Sequence, residues 1–262
     1  MPSAAVLRRQ IEHDLEVRFP AALTPAPRTI RECARTGIDA ADRLLEGGLL
    51  VGAISEITGP SCSGRTSLAL AFVAQRTAEG RICAWVDTHD ALDPASAAAN
   101  GVDLQRLLWV RCEDGRRAAT PLAKAGKKPW TILDQALRAT DLLLQAGGFA
   151  AIVLDLADTA VEHGSRIPLA TWFRFRHAAD RTRCSLVVLA KSANTQSSAA
   201  LALECVPLGA EVAGSRVLTG FRYELQRGPQ RFTPGLGGRK PPASTWSSKW
   251  SSSAAWETEK RA

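Results

Sequence analysis

The sequence predicts an α/β protein built on a mostly parallel, doubly wound sheet with an antiparallel hairpin at its edge. Two observations carry that expectation. From Thr36 onward, short apolar runs alternate with helical segments, the order in which parallel strands and their crossover helices follow one another. After five such strands, ALECVPL and RVLTGFRYELQ read as two further strands joined by a Gly-containing turn, which suits an antiparallel sheet edge.

Taken in order, a strand over 53–58 runs through the loop Gly59 to Gly64 into a helix over 66–79, ended by Gly80. Strands over 82–87 and 107–111 follow, with a helix near 91–100 between them. Residues 112–129 are charged and rich in Gly and Pro, the composition of a mobile loop. A helix over 130–146 leads through Gly147 and Gly148 into a strand over 149–155, and a helix over 169–183 leads into a strand over 185–190. Five strands in βα order make a doubly wound sheet the natural architecture.

Around this core, residues 1–34 form an arm: an amphipathic helix candidate from Val6 to Val17, then Pro20, Pro25 and Pro27. The core domain is placed at 35–234. Residues 235–262 are dominated by Gly, Pro, Ser and Lys, cannot assemble a core of their own, and are expected to form a disordered tail. No internal repeat is present.

With 262 residues, 45% of them hydrophobic, the chain can bury one substantial core. No run approaches the roughly 20 apolar residues that span a bilayer, and the N-terminal stretch lacks the apolar segment of a secretory signal. A cytoplasmic protein is expected. Cys33, Cys62, Cys83, Cys112, Cys184 and Cys205 are scattered, several inside apolar strand-like runs, and read as buried reduced thiols. There is no C-x-x-C pair, and His13, His89, His163 and His177 lack ligand spacing, which argues against a structural metal.

A net charge of +7 and a pI near 9.4 favour an acidic partner, nucleic acid first. Arg166, Arg174, Arg176, Arg181, Arg183 and Lys191 crowd a stretch whose only acid is Asp180, and Arg116, Arg117, Lys124, Lys127 and Lys128 dominate another. A nucleic-acid surface and a solvated helix face with a flexible loop both fit this pattern.

The motif that carries chemistry is Gly59-Pro60-Ser61-Cys62-Ser63-Gly64-Arg65-Thr66, set between a strand and a helix. A phosphate loop, G-x-x-x-x-G-K-[ST], cradles phosphates with backbone N–H groups, neutralises them with Lys and binds Mg²⁺ through the hydroxyl. Here Arg65 replaces Lys; it keeps the charge but carries a planar, bulkier head, so phosphate binding is expected to weaken. Asp155 closes the apolar strand FAAIVLD, where a Mg²⁺ partner belongs, although a strand-terminal Asp also serves as a turn cap. ATP and Mg²⁺ are the cofactors this motif implies, with Thr66 and Asp155 on the metal.

The order TGIDAADRLLEGGLLVGAISEITGPSCSGRTSLAL, WVDTHDALDPASAAANGVDLQRLLWV and AAIVLDLAD resembles the core of the RecA recombinase family, from about Arg35 to Arg231. The resemblance implies a DNA-linked ATPase, and the departures from it are informative. Thr88 stands where the family carries the Glu that activates the attacking water, and a Thr is no carboxylate base. His89 and Asp90 are its neighbours and would need another geometry to replace it. Lys191 takes the place of the polar residue that couples nucleotide to DNA, and is left either as a phosphate or DNA contact or as a strand end in solvent. The segments matching the family's DNA-binding loops, LADTAVEHGSRIP and SANTQSSAALAL, are short.

A shortened, degenerate core of this kind resembles proteins of the ImuA type. That resemblance implies a role in the SOS response as an accessory of translesion synthesis, with a polymerase-type protein or RecA as partner. A slow DNA-dependent ATPase using Arg65, Thr66 and Asp155 and a damage-induced cell-division inhibitor are the alternatives. In the tail, Trp246, Trp250 and Trp256 stand among serines and read either as partner-docking anchors or as rings that fold back onto an apolar patch of this same domain.

Overall fold

The computed structural model describes residues 32–113, 131–157, 159–160, 164, 166–213, 217–228 and 242–249, with isolated positions 6, 10, 13 and 14. Val6, Gln10, His13 and Asp14 are helical; the rest of the expected arm, the loop 114–130 with its five basic residues, and Trp250 and Trp256 lie outside the described residues. Residues 1–32 form a unit separate from Cys33 onward. The core therefore begins slightly before the expected boundary at 35, because Cys33–Ala34 (β1) pairs antiparallel with Leu49–Leu50 (β2), with helix α1, Asp39–Leu44, between them.

Strands Ile54–Thr58 (β3), Cys83–Asp87 (β4), Leu107–Arg111 (β5), Ala151–Asp155 (β6) and Ser185–Ala190 (β7) alternate with helices Arg65–Ala78 (α2), Pro94–Ala99 (α3), Ile132–Ala146 (α4) and Leu169–Thr182 (α5). Then come Leu201–Ala213 (β8), Val217–Arg227 (β9) and Ala243–Lys249 (β10). One eight-stranded sheet runs β10-β9-β8-β3-β7-β6-β4-β5, with parallel pairing from β8 to β5 and antiparallel pairing of β9 and β10. This is the expected doubly wound sheet with its edge hairpin, extended by one strand.

Side chains along the inner strands turn alternately to two buried faces. Ile57, Trp85, Val153 and Val187 meet α2 and α3 on one face, while Ala84, Ile152, Leu154 and Val188 meet α4 and α5 on the other. Helix α4 starts in a capping box between Thr131 and Asp134 and buries Ala136, Thr140 and Leu144, four residues apart, against the sheet. Helix α5 buries Trp172 and Phe175, whose rings meet edge to face at 5.9 Å. The helix expected over 91–100 shortens to α3 because Asp93 caps it, accepting from the N–H groups of Ala95 and Ser96 ahead of Pro94 at its first turn.

The expectation of a disordered tail over 235–262 is corrected in part. Its residues 243–249 are strand β10, paired with β9 so that Trp246 stands opposite Tyr223. Polar ASTWSSK can do this because its one large apolar side chain, Trp246, is half-buried and, like Ile38 and Leu44, lies against the core.

Candidate nucleotide site at the strand ends

Parallel strands β3, β7, β6 and β4 end on one edge of the sheet, the edge on which ligands of open α/β folds bind. There Thr58 leads into the phosphate-loop motif. Gly59 has φ +148, and a β-carbon on it would sit 2.3 Å from the Cys205 carbonyl oxygen of β8, so no other residue fits. Gly64, at φ +88, is the left-handed residue that starts α2, and no side chain caps that helix. Pro60, Ser61, Cys62 and Thr66 are exposed, whereas Ser63 is buried and its hydroxyl has no hydrogen-bond partner among the described residues.

The loop's geometry suits an anion, but Arg65 is turned elsewhere. Its guanidinium is buried, and Nη1 donates to the carbonyl oxygen of Ala190 at 2.7 Å, tying α2 to the end of β7. On the other side, the rings of Tyr223 and Trp246 cover Gly64: a β-carbon there would lie 2.8 Å from Tyr223 Cγ and 3.0 Å from Trp246 Cζ2. The glycines, Ser63 and Thr66 thus fit a phosphate, while Arg65 and the aromatic cover, as folded, do not fit a bound triphosphate.

Thr88 is buried at the end of β4, and its hydroxyl donates to the Asp155 carbonyl oxygen at 2.6 Å, joining the neighbouring ends of β4 and β6. The same oxygen lies 2.7 Å from His89 Nδ1. Since the hydroxyl's single proton goes to Asp155, Nδ1 must be the donor in that second contact. Asp90 is committed as well: both its oxygens accept from Arg111, whose guanidinium lies 5.0 Å over the Trp109 ring. Neither neighbour of Thr88 therefore stands in as a ready carboxylate base. Asp155 accepts from the Ala157 N–H at 3.0 Å, the turn-cap role that its position also allowed.

Two carboxylates that the sequence argument passed over organise this edge. Asp87 accepts from the N–H groups of His89 at 3.0 Å and Leu92 at 2.9 Å and from the Trp109 indole at 3.2 Å. Burial disfavours its charged form, but these bonds and one from Ala91 outweigh burial and hold the carboxyl below its usual range. Glu56, in the middle of β3, is 2% exposed and reaches the loop after β7: Oε1 accepts from Asn194 N at 2.6 Å and Thr195 N at 2.9 Å, and Oε2 from the Thr195 hydroxyl at 2.6 Å. A lone Glu inside the apolar strand ISEIT was the available signal for it.

The expected basic surface is dispersed. Arg166 and Lys191 are exposed beside the strand ends, but Arg183 follows α5 at the opposite edge, against Gly52. The six residues of β7 separate Arg183 from Lys191 by about 20 Å. Arg174 donates to Asp141 of α4 at 3.1 Å, Arg176 is half-buried, and Arg181 is exposed near the far end of α5. Of the cysteines, Cys62 is exposed and Cys33 half-buried, correcting the expectation that all are buried. Burial pushes the thiols of Cys83 and Cys205 up to about 12 and that of Cys112 to about 11. No helix among the described residues is long and apolar enough to cross a membrane.

Residues 28–126 match the family described as RecA N-terminal domain, a stretch that holds the phosphate loop, Arg65, Asp87 and Thr88 but neither Asp155 nor β7 to β10. Over 109 residues, 42% of this chain, it is 40% identical to Protein RecA of Rhizobium rhizogenes and of Rhizobium etli and 39% identical to that of Allorhizobium ampelinum. The aligned stretch spans 25% of the length of each of these curated relatives.

Proposed function

Because the chain is RecA-like through its phosphate loop and first strands, we propose that it is a DNA-repair accessory protein, an adaptor rather than an ATPase. One observation carries the reading: Thr88 stands at the base position and spends its proton on the Asp155 carbonyl, with Arg65 bound to Ala190 and Asp90 to Arg111. Groups that would handle phosphate and water in an ATPase here hold strand ends together. A scaffold needs that rigidity and gains nothing from turnover.

The finer assignment is to the ImuA type: a damage-response accessory of translesion synthesis that holds a polymerase-type protein or RecA, with weak ATP·Mg²⁺ binding at residues 59–66 and little or no hydrolysis. Exposed Arg166 and Lys191 at the site edge support a nucleic-acid contact there, whereas Arg181 and Arg183 lie too far away to share it. Size-exclusion chromatography of the full chain with a translesion polymerase-type protein, and separately with RecA, tests the adaptor role. Co-elution with at least one, without ATP, is expected; separate elution from both at micromolar concentrations overturns it.

A further inference from the structure

Strand β10 meets the phosphate loop at Gly64 through an aromatic contact. The rings of Tyr223 and Trp246 lie 4.7 Å apart and both press on Gly64, the residue that turns the loop into α2. The Tyr223 hydroxyl lies near the Ser67 side chain, in the first turn of α2, which sets β9 against loop and helix. Trp246 has no such fastening: its indole nitrogen is buried with no hydrogen-bond partner among the described residues, which works against docking. Among the described residues β10 is also the outermost strand, paired on one side only, and its other residues are small or polar. A polar edge strand with an unsatisfied buried donor belongs among the elements that open most readily.

Gly64 is approached from two sides. Its N–H belongs to the nest that would cradle phosphate, and its α-carbon face is taken by the ring pair. We propose that β10 is a displaceable cover on the phosphate loop, so that a nucleoside triphosphate and the Trp246 segment compete for this one site. The proposal rests on the phosphate affinity that the proposed function retains for residues 59–66. A ligand that needs the open loop binds with its affinity reduced by the open fraction, so a well-docked cover by itself makes nucleotide binding weak. Binding in turn releases the strand, and Trp246 becomes available to a protein partner.

Titration of a fluorescent ATP analogue with Mg²⁺ into the full chain and into Trp246→Ser tests this directly. The variant is expected to bind about tenfold more tightly, the gain from removing a cover that is closed about nine times in ten. Equal affinities, or no binding by either protein, overturn the proposal. A second measurement uses the wild-type chain alone and does not depend on how the variant folds. Hydrogen exchange with saturating Mg-ATP should rise over 243–249 while falling over 59–67; protection of both segments, or no change in 243–249, also overturns it. Neither experiment reads turnover, so a failure of the adaptor assignment through real ATPase activity would register separately.

Discussion

Asp87 illustrates how single side chains at this edge have structural work to do. Its carboxylate gathers the N–H groups of His89 and Leu92 and the Trp109 indole, so it closes the turn that presents Thr88. Replacing Asp87 by Asn removes the charge that those donors stabilise, and the folded protein should lose about 1–3 kcal/mol near neutral pH. The dependence on pH has a definite sign. Because the folded carboxyl titrates below its usual range, its contribution is complete above the ordinary value of about 3.9 and disappears as the pH falls through the lower, folded value. Urea unfolding of both proteins should therefore show a gap near pH 7 that narrows as the pH falls below the ordinary carboxylate value of about 3.9; a gap that persists unchanged into acid would contradict this role.

At the scale of elements, Glu56 joins β3 to the loop after β7, and Arg65 joins α2 to β7 itself. The strand and helix that flank the phosphate loop are thus each tied to β7 or to the loop after it. Glu56→Ala strands two buried N–H groups and a hydroxyl, at a cost of about 3 kcal/mol or more. Hydrogen exchange should localise the damage, with faster exchange at Asn194 and Thr195 and little change in β4 or β6; uniform acceleration across the sheet would mean that Glu56 does not act through this loop. The inner strands were legible because SLVVLA and AIVLD are long, apolar and ended by polar residues or glycine. β10 was not, because ASTWSSK draws its strand character from pairing with β9 and from one tryptophan, neither of which produces a periodic apolar signal. β8 also runs beyond the ALECVPL segment, to Ala213, since its outer half is held by β9 rather than by burial.

Across the whole molecule, the sequence placed the phosphate-loop residues, Thr88 and Asp155 at one edge, as folded. It could not tell that Arg65 faces Ala190 or that Asp90 is taken by Arg111, because those partners lie 125 and 21 residues away along the chain. The basic run from Arg166 to Lys191 looked like one surface for the same reason: adjacency in sequence hides the length of β7, which sets its ends on opposite edges of the sheet. What remains is a core, similar to RecA over residues 28–126, whose chemical positions are wired into its own framework. The most direct test is phosphate release by the full chain at saturating Mg-ATP, with and without single-stranded DNA. The scaffold account predicts release at background that DNA does not stimulate; DNA-stimulated turnover of about 1 per second or faster, within the ordinary range of enzymes, would contradict it.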